Sequence, residues 1–172
     1  MGVGRDLGPC KIYYGSTVAG ATEVGKSEGD VKWNFAQLVA DVRENANGRT
    51  PVDGVMVGSE KVIVNVPLTR LTMAQLASVV KGGSNSGGES GGVKVLNNKV
   101  GTPHYANSQI LVLKPVVDGT DDTTDANFMI FLHAYPMANF EPVYNTEGQR
   151  IYMVDFHCYP DESTKEVWRM GV

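Results

Sequence analysis

The chain has 172 residues, 42% of them hydrophobic, and its 15 Lys and Arg against 19 Asp and Glu give a formal net charge of −4 and a sequence pI near 5.3. That length suits one domain with a proper core, and the acidic balance argues against a surface built to hold nucleic acid. No run approaches the roughly 18 apolar residues of a membrane span. The first residues, with Gly2, Gly4 and Asp6, lack both the apolar segment of a signal peptide and the Ser or Thr that myristoylation needs at position 6, so a cytoplasm is the default expectation.

The first motif along the chain is Gly20-Ala21-Thr22-Glu23-Val24-Gly25-Lys26-Ser27, which satisfies the GxxxxGK[ST] pattern of a phosphate-cradling P-loop. Ile151 to Asp155 imitates the apolar strand that ends in a magnesium-binding Asp. The mechanism requires a helix directly after the Lys-Ser pair, so that backbone N–H groups meet the phosphate. Here Glu28-Gly29-Asp30 and then a strand follow, and the chain offers one helix where a nucleotide-binding sheet needs several crossovers. Nucleotide hydrolysis is the weaker reading, and no catalytic, cofactor-binding or metal-ligating residue is assigned.

Gly29 to Leu68 reads as a long amphipathic hairpin. Its ascending arm is Asp30 to Arg43, its descending arm Val52 to Pro67, and Asn47-Gly48 and Pro51 between them are turn chemistry. Arms of about a dozen residues at about 3.3 Å each run on the order of 40 Å, about twice the usual strand. A compact chain of this length has a diameter of roughly 40 Å. Such a hairpin crosses the whole domain, and its unpaired edges predict a sheet completed between subunits. Val31, Trp33 and Phe35 share one parity, whereas Leu38, Ala40 and Val42 fall on the other. Either a bulge near Ala36 or Gln37 or a strand that leaves one core for another contact reconciles them.

Thr72 is a good N-cap for a helix from Met73 to Val80, ended by Lys81 and a left-handed Gly82. Residues 82–92 are Gly/Ser-rich and read as a flexible surface loop within the single domain, 1–172. Strands are expected over Ser108–Lys114, Asn127–Tyr135 and Arg150–Tyr159, with Pro115, Pro136 and Pro160 at their ends. The fold class expected is mainly β: an antiparallel β-sandwich or barrel with a long hairpin and one flanking α-helix.

The remaining chemistry-bearing residues suggest no site. Cys10 and Cys158 lie far apart in the sequence, which excludes a CxxC motif; two unpaired thiols are expected, with a disulfide the alternative in an oxidising medium. His133 reads as a hydrogen-bonded core or interface histidine, and His104 has no partner in view. His157 and Asp155 share a strand face while Cys158 points away, against a Cys-His pair. The acidic run Asp118 to Asp125 lacks the glycine and glutamate of a calcium loop and reads as a solvated hairpin tip.

Several segments together resemble the tail tube, or major tail, proteins of tailed bacteriophages. They are Leu7-Gly8-Pro9 leading into a strand at Lys11–Tyr14, Gly25 to Val31 opening the long strand, and Gly48-Arg49-Thr50-Pro51-Val52-Asp53 at the turn. Leu68-Thr69-Arg70-Leu71-Thr72 entering the helix and Tyr159-Pro160-Asp161 closing the last strand complete the pattern. The resemblance implies a β-sandwich flanked by a helix that assembles as hexameric rings, stacked into a hollow tube for double-stranded DNA. Its implied partners are further copies of itself, a tape-measure protein and DNA transiently in the lumen, and a tail sheath if the tail is contractile. The implied location is the virion tail, assembled in the host bacterial cytoplasm, with no membrane partner and no cofactor. Another ring-forming tail or neck component and a secretion-tube protein are the neighbouring alternatives. Six subunits with four strands each at about 4.8 Å enclose a circumference of roughly 115 Å and a diameter of about 37 Å, wide enough for a duplex. A conduit must not retain DNA, and the stretch Glu28 to Lys61 is mildly acidic, as that requires.

Overall fold

A computed structural model describes residues 9–48, 50–81, 83–85, 92–95, 100–140 and 150–171. Its strands are β1 (Cys10–Gly15), β2 (Thr22–Ser27), β3 (Lys32–Trp33), β4 (Gln37–Arg43), β5 (Pro51–Ser59), β6 (Val62–Thr69), β7 (Gly83–Asn85) and β8 (Val93–Val95). They continue with β9 (Gln109–Val117), β10 (Thr120–Asp121), β11 (Met129–Asn139), β12 (Tyr152–Tyr159) and β13 (Trp168–Met170), and α1 (Met73–Val79) lies between β6 and β7.

Strand pairing closes on itself. β1 pairs β2, β2 pairs β6, β6 pairs β12, β12 pairs β11, β11 pairs β9 and β9 returns to β1, all antiparallel. The result is a six-stranded barrel, to which β3, β10 and β13 add short outer pairings on β6, β9 and β11. Mainly β, antiparallel, with a single flanking helix among the described residues, it is the fold class that the sequence predicts.

Alternation along the strands fills the barrel. Val62, Val64, Val66 and Leu68 of β6 all point inward, and three of them face Cys158, Phe156 and Val154 across the pair. Ile12, Tyr14, Val24, Leu111 and Phe131 complete this interior. Tyr14 donates its hydroxyl to the Ala134 carbonyl at 3.1 Å, so its polar end is satisfied inside the core. Outside β9 and β11, Val112, Phe128 and Ile130 form a second, smaller cluster. The Lys114 ammonium lies over the Tyr13 and Phe128 rings beside it, 4.5 and 4.8 Å from their centres.

The helix begins where its chemistry says. Thr72 Oγ1 accepts from the Gln75 backbone N–H at 3.2 Å, and Gln75 Oε1 accepts from the Thr72 N–H at 2.9 Å, a reciprocal capping box. Gln75 also donates its amide to the Glu23 carbonyl, which fastens α1 to β2. The C-terminus differs from expectation: Val80 is already extended at φ −97°, and Lys81 turns its ammonium over the Tyr14 and Tyr135 rings. Burial there lowers the Lys81 pKa. Gly82, expected as the left-handed cap, lies outside the described residues.

Four other expectations need correction. The Gly/Ser-rich stretch is not one continuous loop, because Gly83–Asn85 pairs antiparallel with Val93–Val95; residues 86–91 lie outside the described set. Pro115 and Pro136 sit inside β9 and β11 instead of ending them. Pro136 lies where β11 has one flank free, since β9 reaches only Ala134 of β11. Pro115 lies where β10 takes over from β11 beside β9: its carbonyl accepts the Asp122 N–H at 2.8 Å, so the proline sits at the end of that short edge pairing. The long hairpin is not one element: its arms break, and Val62 to Leu68 belong to the barrel. Finally, His104 does have partners, described below.

Both cysteines are free thiols, as expected. Cys158 lies within the barrel, where burial pushes its thiol up to about 12, and no neighbouring subunit can reach it there. The acidic run forms the β9–β10 turn, with Asp118 and Gly119 at φ 50° and 80°, the pair of positive values that suits an Asp-Gly hairpin. Asp121 binds Lys11 at 2.7 Å and accepts from the Tyr13 hydroxyl, while Asp122 holds the Thr124 N–H and the Asn127 amide. These carboxylates secure the turn.

Candidate assembly surface

Beyond Trp33 the chain leaves the barrel. Asn34 Oδ1 accepts the Ile63 N–H at 3.3 Å and the Ala36 carbonyl accepts the Glu60 N–H at 2.8 Å, which ties the two departing strands together at the exit. Trp33 packs on Phe131 and on Trp168 of β13, and Phe35 meets the same Trp168 edge-on at 5.9 Å. From this aromatic base β4 and β5 project as a two-stranded ribbon paired only with each other.

Every residue of β4 is exposed, and every residue of β5 except Gly58 is exposed. A two-stranded ribbon is marginal in water on its own. This one nevertheless shows Leu38, Val39, Val42, Val52, Val55, Met56 and Val57 to solvent, Val57 at 63%. Scattered apolar side chains are ordinary on a surface; a projecting sheet that carries this many is not.

The two faces differ. Cross-strand partners share a face, so Leu38 with Gly58, Ala40 with Val55 and Val42 with Asp53 form one side. Gln37 with Ser59, Val39 with Met56, Asp41 with Gly54 and Arg43 with Pro51 form the other. Bulges place Val57 and Val52 out of register, between Leu38/Val39 and between Val42/Arg43. The parity change in the sequence therefore marks the exit from the barrel at residues 34–36, the strand leaving one core for another contact; the expected bulge near Ala36 or Gln37 is not there, because both extra residues, Val57 and Val52, lie on β5. On the second face Asp41 and Arg43 pair at 3.2 Å, so its charges cancel.

A second exposed patch lies at the far end of β6. Because β12 runs antiparallel, Cys158 lies beside Val62 near the ribbon, while Tyr152 lies beside Leu68. Around that far end Ile151, Met153 and Met137 are exposed. Thr69, Arg70, Leu71, Arg150 and Tyr152 line a hollow of about 300 Å³, and an adjoining one of about 240 Å³ is lined by Lys26, Ser27, Glu28, Thr69 and Arg70. Lys26 also pairs with Glu23 at 2.8 Å.

The P-loop look-alike contributes no phosphate cradle. Thr22–Ser27 is strand β2, paired with β1 and β6, so its backbone N–H groups are not gathered at a helix start. Gly25 adopts φ 155°, and a Cβ there would lie 2.5 Å from Leu71 Cδ2. Barrel packing accounts for this glycine. Asp155, the imitation magnesium ligand, lies mid-strand in β12 and accepts from the Asn65 amide at 2.6 Å.

All three histidines gather on the outer face of β11 and β12, which the sequence did not reveal. His133 stands opposite Tyr159 and Tyr135 opposite His157. His104 stacks flat on Tyr135 at 4.1 Å with its Nδ1 2.9 Å from the Tyr159 hydroxyl, and Tyr105 stacks on His133. Ser108 Oγ lies 3.1 Å from His133 Nδ1, and His133 Nε2 lies 3.2 Å from Asp161 Oδ2, the connectivity of a Ser-His-Asp relay. The serine is not set up as a nucleophile, because its hydroxyl donates to the Tyr105 carbonyl at 2.6 Å and the imidazole cannot take that proton. Asp161 also caps the following turn, accepting from Ser163 and Thr164, and these hydrogen bonds hold its carboxyl well below the usual carboxylate range. The cluster fastens residues 103–108 and 161–164 to the barrel wall. Among the described residues no group of three His, Cys, Asp or Glu could hold a metal ion.

His157 makes this wall sensitive to acid. Burial, and then the Lys61 ammonium 2.7 Å from its Nδ1, lower its pKa from 6.5. A histidine with a depressed folded pKa stabilises the fold fully above its unfolded pKa. That stability is lost as pH falls below about 6.5, because the unfolded chain then binds the extra proton. Melting temperature should drop between pH 7 and 5, and His157→Asn should flatten the slope; an unchanged slope in the variant would place the acid sensitivity elsewhere.

No protein-family model matches the chain, and a search of curated proteins returns no relative.

Proposed function

We propose that this chain is a structural protein that self-assembles through the β4–β5 ribbon into stacked rings, forming the wall of a phage tail tube through which double-stranded DNA passes. The observation that carries this reading is the ribbon: a fully exposed two-stranded sheet with apolar side chains on both faces, standing on a barrel that is itself closed. Closure leaves the barrel only short edges, such as β11 beyond Ala134, whereas both edges of the ribbon are open along its length, so the ribbon is the natural place for copies to meet. Joined side by side, ribbons would pair their open edges and bring the apolar rows of neighbouring copies into cross-strand contact.

Strand counting sets the form of the ring. Six ribbons alone would give twelve strands and a circumference of roughly 58 Å, about 18 Å across, too narrow for a duplex. Each subunit has to add two strands beside its ribbon to reach the roughly 37 Å computed from four. The face with Gln37, Ser59 and the mutually neutralised Asp41 and Arg43 suits a lumen, because it offers phosphate no uncompensated cation. The leaner face with Leu38, Ala40, Val42 and Val55 suits contact with protein.

Negative-stain microscopy of the purified protein over a range of concentrations tests the proposal. Hollow tubes of even diameter are the expected result. Single rings that do not stack would point to a capping or neck component. A monodisperse monomer with neither rings nor tubes at high concentration would overturn self-assembly.

A further inference from the structure

Resting on that reading, the structure carries one step more: we infer that copies whose ribbons join edge to edge also make a heterologous contact, the acidic ribbon of one copy seating on the cationic far end of the β6–β12 sheet of the next. The two surfaces sit at opposite ends of one element. β6 spans eight residues from Val62, beside the ribbon exit, to Thr69, beside Arg70, a distance of about 25 Å. Antiparallel pairing puts Tyr152, and hence Arg150, at that same far end.

Their charges are opposite. Among the described residues of the ribbon and its turn Arg43 neutralises Asp41, which leaves the carboxylates of Glu44 and Asp53, with Glu60 beside Lys61 at the base. Lys26, Arg70 and Arg150 surround the two adjoining hollows, against Glu28 in the lining and Glu23, which pairs with Lys26. Their apolar content matches too, because Ile151 and Met153 stand exposed beside those cations as the valines do on the ribbon. Apolar side chains between opposite charges form a complementary pair of surfaces, in which charge sets orientation and burial supplies adhesion.

A symmetric dimer cannot satisfy this arrangement. In a two-fold contact each surface meets its own copy, which here would set acid against acid or cation against cation. Seating ribbon on far end instead leaves one ribbon and one far end open at every step, so association propagates into a closed ring or a growing stack. The geometry thus accounts for open-ended assembly with two local surfaces.

Charge exchange provides the test. One variant carries Asp53→Lys with Glu60→Lys, so both of its surfaces are cationic; a second carries Arg70→Glu with Arg150→Glu, so both are acidic. Each alone should need a more than about tenfold higher concentration than the parent to sediment as assemblies. Mixed in equal amounts they should assemble as the parent does, because each ribbon then meets an opposite far end. Circular dichroism and melting of each variant confirm the fold, and Lys26→Glu with Arg70→Glu replaces the second variant if Arg150→Glu unfolds it. Parent-like assembly of either variant alone, or failure of the mixture while the folded parent assembles, overturns the heterologous contact and leaves self-assembly standing. Failure of the parent itself to assemble overturns both.

Discussion

Val64→Lys should unfold the protein, whereas Val55→Lys should leave it folded and unable to assemble. The two valines are nine residues apart on what reads in sequence as one strand, yet they occupy opposite environments. Val64 is 0% exposed, opposite Phe156 in the barrel interior. An ammonium placed there has no counter-ion, and an uncompensated buried charge costs several kcal/mol out of a total stability of about 5–15 kcal/mol. Val55 is half exposed, opposite Ala40 on the leaner ribbon face. Its replacement is near neutral for a monomer, within about 0.5 kcal/mol. In an assembly the same Lys is buried against a neighbour. Thermal melting and sedimentation velocity separate the outcomes, and a Val55→Lys protein that assembles normally would remove the ribbon from the interface.

Gly25→Val should destabilise the barrel by roughly 2–5 kcal/mol, while Lys26→Ala costs less than about 1 kcal/mol. Gly25 sits at φ 155° where β2 bulges against β1, a region that a β-branched residue does not tolerate. Its new side chain would also strike Leu71, which packs on the core. Lys26 projects into solvent, and its pair with Glu23 is a surface one. A P-loop would show a different pattern, with loss of nucleotide binding on changing the lysine. Here neither the parent nor Lys26→Ala should bind ATP or GTP at micromolar concentration; saturable, magnesium-dependent binding abolished by Lys26→Ala would restore the hydrolase reading.

Legibility in the sequence tracked the range of the interactions involved. The capping box at Thr72 and Gln75 and the Asp118-Gly119 turn are local, and residue identity alone identifies them. Strand positions were legible because β6 and β12 alternate, β9 does so weakly, and β11 begins as a strongly apolar run. The end of the barrel part of the hairpin was half legible: the parity change between Phe35 and Leu38 marks it, but a bulge gives the same signal, and the break itself depends on Asn34 bonding Ile63 and on Glu60 bonding Ala36. Pro115 and Pro136 were misplaced for a related reason: whether a strand tolerates proline depends on what lies beside it on each flank, a free edge for Pro136 and the end of a short edge pairing for Pro115, and that belongs to the topology. The candidate surface was half legible. Excess strand length pointed to the ribbon, but the cations at Lys26, Arg70 and Arg150 come from three separate elements. Ser108, His133 and Asp161 likewise meet only through the fold.

The ribbon and the barrel differ in how far along the chain their partners lie, and that difference orders their formation in time. β4 and β5 join across a short turn, a closure that hairpins complete in about 1–10 µs. The barrel cannot close until β9 returns to β1, with Leu113 beside Ile12 and Val112 beside Tyr13, and such distant pairing makes folding slow. A nascent chain therefore displays its exposed apolar ribbon while its core is still open. Refolding at rising protein concentration should accordingly lose yield to aggregation, and Val55→Lys should recover it.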